Sequence, residues 1–472
     1  MSQARPVNQN SIWRAVALVA AIVVIGLGTF AAISLLGREP ETAQPSESAR
    51  SSPSVAVTAS PTVAPTPTTF AVEEGLVQVI AAEMVMQTSP SADAPEGARL
   101  LKGQTAWATG RGSESAGIDW IEIRREPSGQ VGWVAAAMAD GEPSLAAVHD
   151  GAIGVTSGTD VELIDLASGQ RTAITSGMRV HDLAFAPDGR QVALIDPYDG
   201  SSVVSIDDVT APEPTATPRA PTFGPPAMKY PAFAANGEAV AYLVGQDFLG
   251  LSLLWLGDGP APTYATPATL HPFTWAPDSR HIASAELVNT SADGRENWEI
   301  VVAEAGESQA IRLTRHAGFD TSPAWSPDGS AIAYLQEVDR GTTALALMDA
   351  DGGDQRTLLT FDGFAGVLAQ PAWSPDGSRV AVAQSLAGWS PMVHLVDAHT
   401  SQHLSITAPG SECTDLTWSP TGSHIAFICA GDDGEGTAYV SDVGGRNVET
   451  LGPAWHVDWA RTLEPLTLPQ RD

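Results

Sequence analysis

A single motif recurs along the chain, and this repeat limits the possible folds more than any other feature of the sequence. Two nearly identical copies, SPAWSPDGS and QPAWSPDGS, occupy residues 322–330 and 370–378. Further copies place an aromatic residue at the same point of the motif, which gives the series Phe185, Phe233, Trp275, Trp325, Trp373 and Trp418. Successive aromatic positions are 42 to 50 residues apart. Such a period indicates a repeat architecture, in which neighbouring repeats bury a shared core.

Each repeat reads as four short β-strands. The first strand ends at the aromatic residue, and Ser-Pro-Asp-Gly then forms a turn, because Pro fixes φ, Asp bonds to the backbone and Gly accepts positive φ. A second strand follows, as at 330–335, then an apolar third strand, as at 345–349, and a short fourth strand, as at 358–360. Four strands in about 45 residues are typical of one blade of a β-propeller.

The order Pro-Ala-Trp-Ser-Pro-Asp-Gly followed by a β run resembles the TolB-type, WD40-like propeller repeat, and the resemblance covers residues 145–465. It implies an all-β fold in which residues 142–472 form a β-propeller of seven blades, with six or eight blades as the alternatives. A degenerate copy that begins at Leu145 and a partial copy around Trp459 should pair and close the ring. Closure removes exposed sheet edges.

Residues 71–141 form a separate region, in which five short apolar runs predict a small β-barrel. Four stretches resemble the bacterial SH3-like family: Met84–Gln87 with the Ser-Pro-Ser that follows, the Leu-Lys-Gly-Gln turn at 101–104, the Trp strand at 119–123, and the Gly-Trp-Val ending at 132–134. Domains of that family often bind peptidoglycan or peptides, and the resemblance implies the same here.

Three tryptophans of this region, Trp107, Trp120 and Trp133, are candidate ligand-stacking residues. Indole rings combine a large apolar face with a polar N–H, which suits them to contact a peptide or a sugar. The alternative is that these rings fill the core of the small barrel.

The N-terminal residues predict a membrane anchor. Residues 15–36 are 22 residues without a charge, which is long enough for a helix to cross a bilayer. Arg5 and Arg14 precede this segment, so the positive-inside rule places the tail, 1–14, in the cytoplasm. Residues 37–70 form a Pro/Ser/Thr-rich linker whose composition predicts disorder. We expect a single-pass protein of the cytoplasmic membrane with its large domains outside; a cleaved signal peptide and a buried core helix are the alternatives for 15–36.

Charge and composition exclude several kinds of function. The chain carries 24 basic and 55 acidic residues, a net charge of -31, which argues against nucleic acid as a partner. The sequence has no Gly-x-Ser-x-Gly elbow, no glycine-rich phosphate loop and no Cys-x-x-Cys pair, and its 10 histidines are scattered. We therefore expect no catalytic residues, no cofactor and no metal, and a chain that is not an enzyme.

The expected function is that of a membrane-anchored extracytoplasmic binding or scaffold protein. The propeller would mediate protein or peptide interactions in the cell envelope, and the SH3-like domain would bind cell wall or peptide. The alternative is a propeller-channel enzyme of lyase or hydrolase type. That alternative predicts His, Arg and carboxylate side chains that converge in the channel around a metal, whereas the binding function predicts no such cluster.

The two cysteines, Cys413 and Cys429, are candidates for a disulfide. If the turn at 419–422 pairs Trp418 with His424, Cys413 faces Cys429 across the hairpin. Directly opposite residues in antiparallel strands bring their Cβ atoms near disulfide distance, and an exported location would favour the bond. A register slip of one residue would leave two thiols instead.

Overall fold

The computed structural model of the chain describes residues 68–468, except for 126, 159, 197–201, 207, 210–215, 219–226, 246–248, 257–262, 270–271, 291–295, 308, 317, 362–368, 386–389, 432–433 and 467. The expected cytoplasmic tail, the expected membrane helix and almost all of the linker lie outside the described residues. Within the described part, no helix has the length and apolar character needed to span a membrane.

The N-terminal module, residues 68–141, is an antiparallel β structure. Its described strands are β1 (Thr68–Ala71), β2 (Gly75–Val79), β3 (Glu83–Gln87), β4 (Glu96–Leu101), β5 (Thr105–Ser115), β6 (Ile118–Arg125) and β7 (Gln130–Ala135). They pair in the order β2-β5-β6-β7-β3-β4, with β1 beside β5. Leu100, Ile121, Ile123 and Val134 are fully buried in its core. The module therefore has its own apolar interior.

The first blade is assembled from both ends of the repeat region. It contains β8 (Leu145–Thr156), β9 (Val161–Ile164) and β10 (Arg171–Ala173), and the last strand of the chain, His456–Pro465, pairs with β8 as the innermost strand. The three outer strands of this blade thus come from the start of the repeat region, and its inner strand comes from the end of that region.

Six further four-stranded antiparallel sheets follow, each with its strands in chain order. Blade 2 has β11 (Asp182–Phe185), β12 (Val192–Asp196), β13 (Ser202–Ile206) and β14 (Ala216–Pro218); blade 3 has β15 (Ala227–Phe233), β16 (Ala239–Gly245), β17 (Leu249–Trp255) and β18 (Thr263–Thr269). Blade 4 has β19 (Thr274–Trp275), β20 (His281–Thr290), β21 (Glu296–Glu304) and β22 (Ala310–Arg312); blade 5 has β23 (Asp320–Trp325), β24 (Ala331–Asp339), β25 (Thr342–Asp349) and β26 (Arg356–Phe361). Blade 6 has β27 (Ala372–Trp373), β28 (Arg379–Gln384), β29 (Met392–Asp397) and β30 (His403–Thr407); blade 7 has β31 (Glu412–Trp418), β32 (His424–Ala430), β33 (Gly436–Asp442) and β34 (Val448–Pro453). The last strand, β35 (His456–Pro465), returns to blade 1.

The seven four-stranded sets counted in the described residues form a closed ring. Each inner strand contacts the inner strands of both neighbouring blades, in the order β35, β11, β15, β19, β23, β27, β31 and back to β35. The expected all-β fold built of propeller-like blades is therefore confirmed for this part of the chain.

The repeated tryptophan fastens one blade to the next. The indole Nε1–H of Trp373 donates to the carbonyl of Ala324 in the preceding blade, at 2.9 Å. Trp275 and Trp418 make the same bond to Ala232 and Ala372, each at 3.0 Å. The motif keeps its tryptophan because one ring both fills the space between two sheets and ties their inner strands together.

The aspartate of the Ser-Pro-Asp-Gly turn stabilises the turn itself. In blade 5, Asp328 Oδ1 accepts hydrogen bonds from the hydroxyls of Ser326 and Ser330, at 2.8 and 2.7 Å. Blade 7 has Thr421 at this position, and Asp150 of β8 accepts from its backbone N and Oγ1, both at 2.8 Å. Asp150 of blade 1 thus replaces the turn carboxylate that blade 7 lacks. Its hydrogen bonds connect blades 1 and 7 at the point where the ring closes.

The two cysteines pair as expected, but the register of the hairpin differs from the expected one. Trp418 pairs with Ile425, so the expected pairing with His424 is wrong by one residue. A β-bulge between Thr414 and Thr417 shifts the register back, and Cys413 lies opposite Cys429. In the structure their Sγ atoms are joined at 1.97 Å.

We expect Trp373→Phe to destabilise the protein by about 1 kcal/mol more than Trp325→Phe. Both changes remove an indole N–H and similar apolar area, but Trp373 loses its bond to Ala324, whereas the buried Nε1 of Trp325 has no hydrogen-bond partner among the described residues. Urea unfolding followed by circular dichroism measures the difference. Equal losses in the two variants would show that the interblade bond contributes nothing.

We expect Cys413 and Cys429 to resist alkylation in the unreduced, denatured protein and to take up two alkyl groups after reduction. The strand register places them directly opposite each other at disulfide distance. Intact mass with and without reductant is the measurement, and the Cys413→Ser variant, which keeps one thiol, is the control. Two freely alkylated cysteines without reductant would contradict the bridge.

Candidate functional site

A channel runs between the inner strands of the ring and contains a cavity of about 780 Å³. One end is lined by turn prolines, such as Pro277 and Pro327, together with Gly103 of the N-terminal module. The other end, here called the channel mouth, is lined by Tyr230, Ser322, Gln370, Asp415 and His456. The two ends of the channel therefore differ in chemistry: proline and glycine residues line one end, and mostly polar side chains line the other.

The N-terminal module packs on the turn end of the channel. Gly103 has φ of +89°, and a Cβ there would lie 1.6 Å from the carbonyl oxygen of Ala235 in the turn of blade 3, so only glycine fits. Thr105 Oγ1 donates to the carbonyl of Pro375 in the turn of blade 6, at 3.3 Å. In blade 5, the Arg125 guanidinium donates to the carbonyl of Asp328. These contacts reach turns on three blades, so the module covers this end.

The mouth is built from one equivalent position in every blade, three residues before the aromatic. These positions are His456, Asp182, Tyr230, Pro272, Ser322, Gln370 and Asp415, in blades 1 to 7. Tyr230, Ser322 and Asp415 have φ of 55°, 53° and 50°, in the left-handed region that residues other than glycine rarely adopt. Each lies within a bulge of its inner strand. Backbone strain of this kind is often concentrated at functional sites.

His456 is the centre of a hydrogen-bonded group at the mouth. Its Nδ1 lies 3.1 Å from Asp415 Oδ2 and 3.9 Å from Asp182 Oδ1. Burial alone would lower the pKa of His456, but the charge of Asp415 and its hydrogen bond outweigh burial. Asp182 and Asp458 add to this effect, and the pKa of His456 is raised to about 9. At neutral pH the side chain is therefore an imidazolium.

The carboxylate of Asp182 lies close to three groups: the side chains of His456 and His181 and the backbone N of Tyr230. Its Oδ1 lies 3.2 Å from His181 Nδ1, and its Oδ2 accepts from the backbone N of Tyr230, also at 3.2 Å. Burial opposes its ionisation, yet the hydrogen bond from His181 and the charges of His456 and His181 hold the pKa of Asp182 below its usual value. The carboxylate is therefore charged at neutral pH.

Two more charged residues follow His456 along β35 toward the capped end. Asp458 accepts from the backbone N of Phe185 at 2.9 Å and from Thr417 Oγ1 at 3.3 Å, so it links blades 1, 2 and 7. Burial raises the pKa of Asp458. Arg461 donates to Gln78 Oε1 of the module at 2.7 Å, and burial lowers its pKa. The last strand thus carries a column of polar groups along one wall.

Sequence reasoning missed this column, although a signal was present. The residue before the aromatic is uncharged in six copies, namely Ala184, Ala232, Thr274, Ala324, Ala372 and Thr417. The closing copy reads His456-Val457-Asp458-Trp459 and places Asp458 there. Asp458 is thus the one charged residue among the seven copies at this position, and this difference from the repeat could have predicted a special role for it in the channel.

The tryptophans singled out in the N-terminal module lie away from the mouth. Trp120 and Trp133 are buried, at 4% and 9% exposure, and the Arg111 guanidinium lies 5.5 Å from the centre of the Trp133 ring. Trp107 is half-buried and donates to Glu74 Oε1 at 3.3 Å. The burial of Trp120 and Trp133 accords with the core-filling alternative, and ligand stacking stays a prediction.

Among the residues that the structure describes, no group of three or more His, Cys, Asp or Glu side chains is arranged to hold a metal ion.

No family model matches the sequence, and no curated protein matches it. Solved structures are similar in fold. Putative TolB from Agrobacterium tumefaciens is 20% identical over 53% of this chain and 93% of its own, with a TM-score of 0.40. TolB from Acinetobacter baumannii is 18% identical over 68% and 84%, with a TM-score of 0.44. An oligogalacturonate lyase in complex with manganese is 15% identical over 64% and 86%, with a TM-score of 0.48.

We expect the stability of the protein to fall as the pH rises from about 6.5 to about 9. The pKa of His456 is raised above its unfolded value of 6.5, so its stabilisation is complete below that value and is lost as pH passes the folded pKa of about 9. The loss is on the order of 3 kcal/mol. Urea unfolding at pH 6 to 10 measures it.

His456→Gln keeps a donor toward Asp415 but does not titrate, so it should flatten this pH dependence. His403→Gln, at an exposed position on β30, serves as the matched control and should retain it. A wild-type slope that persists in His456→Gln would refute the assignment to His456.

Proposed function

We propose that this chain is a membrane-anchored extracytoplasmic binding protein whose propeller holds a protein or peptide at the channel mouth. The observation that carries the proposal is the asymmetry of the channel. The module packs on the turn end through contacts to the turns of blades 3, 5 and 6, whereas the mouth presents polar residues, three of them with positive φ, beside a cavity of about 780 Å³. Concave sites with a few convergent polar groups are the usual places for ligands.

Two exposed aromatic side chains near the mouth support a polypeptide partner. Trp455 is 41% exposed, and Tyr230 is 38% exposed. Large rings left partly in water beside a cavity are typical anchors of protein interfaces, because burying them on binding releases much apolar surface from water.

The remaining parts of the chain complete the proposal. Residues 15–36 would anchor the protein in the cytoplasmic membrane, and the linker would hold the ring away from it. The N-terminal module would be SH3-like, as its motifs imply, and would bind peptidoglycan or peptide on a surface that the ring leaves open. The partners would then be an envelope protein or peptide, the wall, and the membrane.

The test uses the full chain in detergent, immobilised and exposed to an envelope protein extract and, separately, to purified peptidoglycan. Gln370→Trp fills the mouth without adding charge, and Leu404→Trp on the outer strand β30 is the matched control. A partner retained by wild type and Leu404→Trp but lost in Gln370→Trp is the expected result. A partner that Gln370→Trp retains as well as wild type does, or the absence of any retained partner, would contradict binding at the mouth.

The second candidate is a propeller-channel enzyme of lyase or hydrolase type, and one observation favours it. His456, Asp458 and Arg461, an imidazole, a carboxylate and a guanidinium, line the same cavity along one strand. The imidazolium of His456 could donate a proton, with Asp415 holding the ring. Turnover of an ester or oligosaccharide substrate that His456→Gln abolishes, with partner retention unchanged, would establish the enzyme instead.

A further inference from the structure

We propose that the channel mouth recognises a positively charged side chain of the polypeptide partner, an ammonium or guanidinium group held by the carboxylate of Asp415 beside the rings of Tyr230 and Trp455. The inference rests on the proposed function and specifies the chemistry of its partner. It follows from three properties of the mouth: an accessible acceptor, an excess of negative charge, and an aromatic rim.

The accessible acceptor is Asp415. Its Oδ2 is engaged by His456, whereas no hydrogen bond to its Oδ1 is found among the described residues. The side chain is 22% exposed and lines the cavity. Its positive φ sets it within a bulge of β31, out of the regular ladder. A donor that enters the mouth therefore meets a carboxylate oxygen that the fold itself does not use.

The charge balance at the mouth favours a cation. One imidazolium, His456, faces two carboxylates, Asp415 at 3.1 Å and Asp182 at 3.9 Å. Deeper in the channel, Arg461 attracts the charge of Asp458, so these two offset each other. Among His456, Asp415 and Asp182 the carboxylates outnumber the imidazolium by one, in a chain whose net charge is -31 with histidines counted as neutral. His181, 3.2 Å from Asp182, is a further titratable group beside them. Complementary charge on the partner both steers encounter and selects against anions.

The aromatic rim lies beside Asp182 and His181. Tyr230 lines the cavity, and its backbone N is 3.2 Å from Asp182 Oδ2. Trp455 packs edge-on against His181, with ring centres 5.2 Å apart, and His181 Nδ1 is 3.2 Å from Asp182 Oδ1. Both rings are more than a third exposed. Cations bind over the faces of Trp and Tyr, and the attraction adds to that of a nearby carboxylate.

The described mouth positions on the far side of the ring carry no charge. Blades 4 to 6 contribute Pro272, Ser322 and Gln370 there, none of which has an ionisable side chain. A ligand that places its charged group on the side of Asp415 can therefore rest its apolar stem against the other side. A lysine or arginine side chain has this shape, a cation at the end of an apolar chain.

The experiment titrates the full chain in detergent with three probes by calorimetry. They are acetyl-Gly-Gly-Lys-Gly-Gly-amide, the same peptide with norleucine in place of lysine, and free n-butylamine. We expect the lysine peptide to bind about tenfold more tightly than the norleucine peptide, and increasing salt to weaken only the lysine peptide. Butylamine that binds as well as the lysine peptide would identify a free amine, rather than a polypeptide, as the ligand and overturn the polypeptide part of the inference.

Asp415→Asn tests the residue, since asparagine tolerates positive φ. Asp354→Asn is the matched control, because it removes the same charge from an exposed position that also has positive φ, 43°. We expect the first variant to lose the preference for lysine and the second to keep it. Because Asp415→Asn could disturb folding, the comparison of lysine and norleucine on the wild-type chain stands without it.

Equal binding of the two peptides to wild type overturns the inference. An envelope partner that Gln370→Trp releases but Asp415→Asn retains also overturns it, and leaves the proposed function standing. If both Gln370→Trp and Asp415→Asn retain the partner, or if wild type retains no partner, the result counts against the proposed function itself.

Discussion

The pairing of β35 with β8 is the interaction on which the rest of the structure depends. It joins the last strand of the chain to the first strand of the ring over nine residue pairs, from His456–Thr156 to Pro465–Ala146. The same β8 also pairs with β2 of the N-terminal module. One strand thus closes the ring and carries the module onto the turn end of the channel.

This closure also explains why the charged wall lies where it does. In six blades the inner strand is the first strand of its own repeat, and it carries the turn that the repeat requires. In β35 no such turn follows Trp459, and the strand continues to Pro465. Arg461 therefore stands where five of the six other copies have the turn proline, whereas His456 and Asp458 lie before the aromatic. The neighbours that these three residues contact come from blades 7 and 2 and from the module.

The bonds between blades depend on a small residue before the aromatic. Trp275, Trp373 and Trp418 donate to the carbonyl of an alanine in the preceding blade. The two indoles whose preceding blade carries a threonine there, Trp325 and Trp459, have no hydrogen-bond partner in the described part of the chain. The pattern indicates that the methyl side chain allows the close approach that the bond needs, and that Thr274 and Thr417 weaken it.

The sequence predicted the elements that arise from local rules, and it failed where distant segments combine. The turn at 326–329 and the strands on either side were predictable, because proline, aspartate and glycine determine the turn through the backbone of their own segment. The role of Asp150 was not, because it replaces the aspartate missing from a turn 271 residues away. The pairing of the two cysteines was predicted correctly from an incorrect register. Trp418 pairs with Ile425 instead of His424, and the bulge at Asp415 shifts the register by one residue, so that Cys413 still lies opposite Cys429.

By itself, then, the sequence determined a repeated four-stranded β unit and its interblade tryptophans, because a periodic pattern repeats the same local physics in every copy. Only the tertiary structure decided which end of the channel is covered and which side chains meet at the mouth. His456, Asp182 and Asp415 come from three different strands, and ring closure brings both carboxylates within 4 Å of His456. The state of ionisation of His456 follows from that meeting, since its pKa is set by carboxylates that no local pattern places beside it.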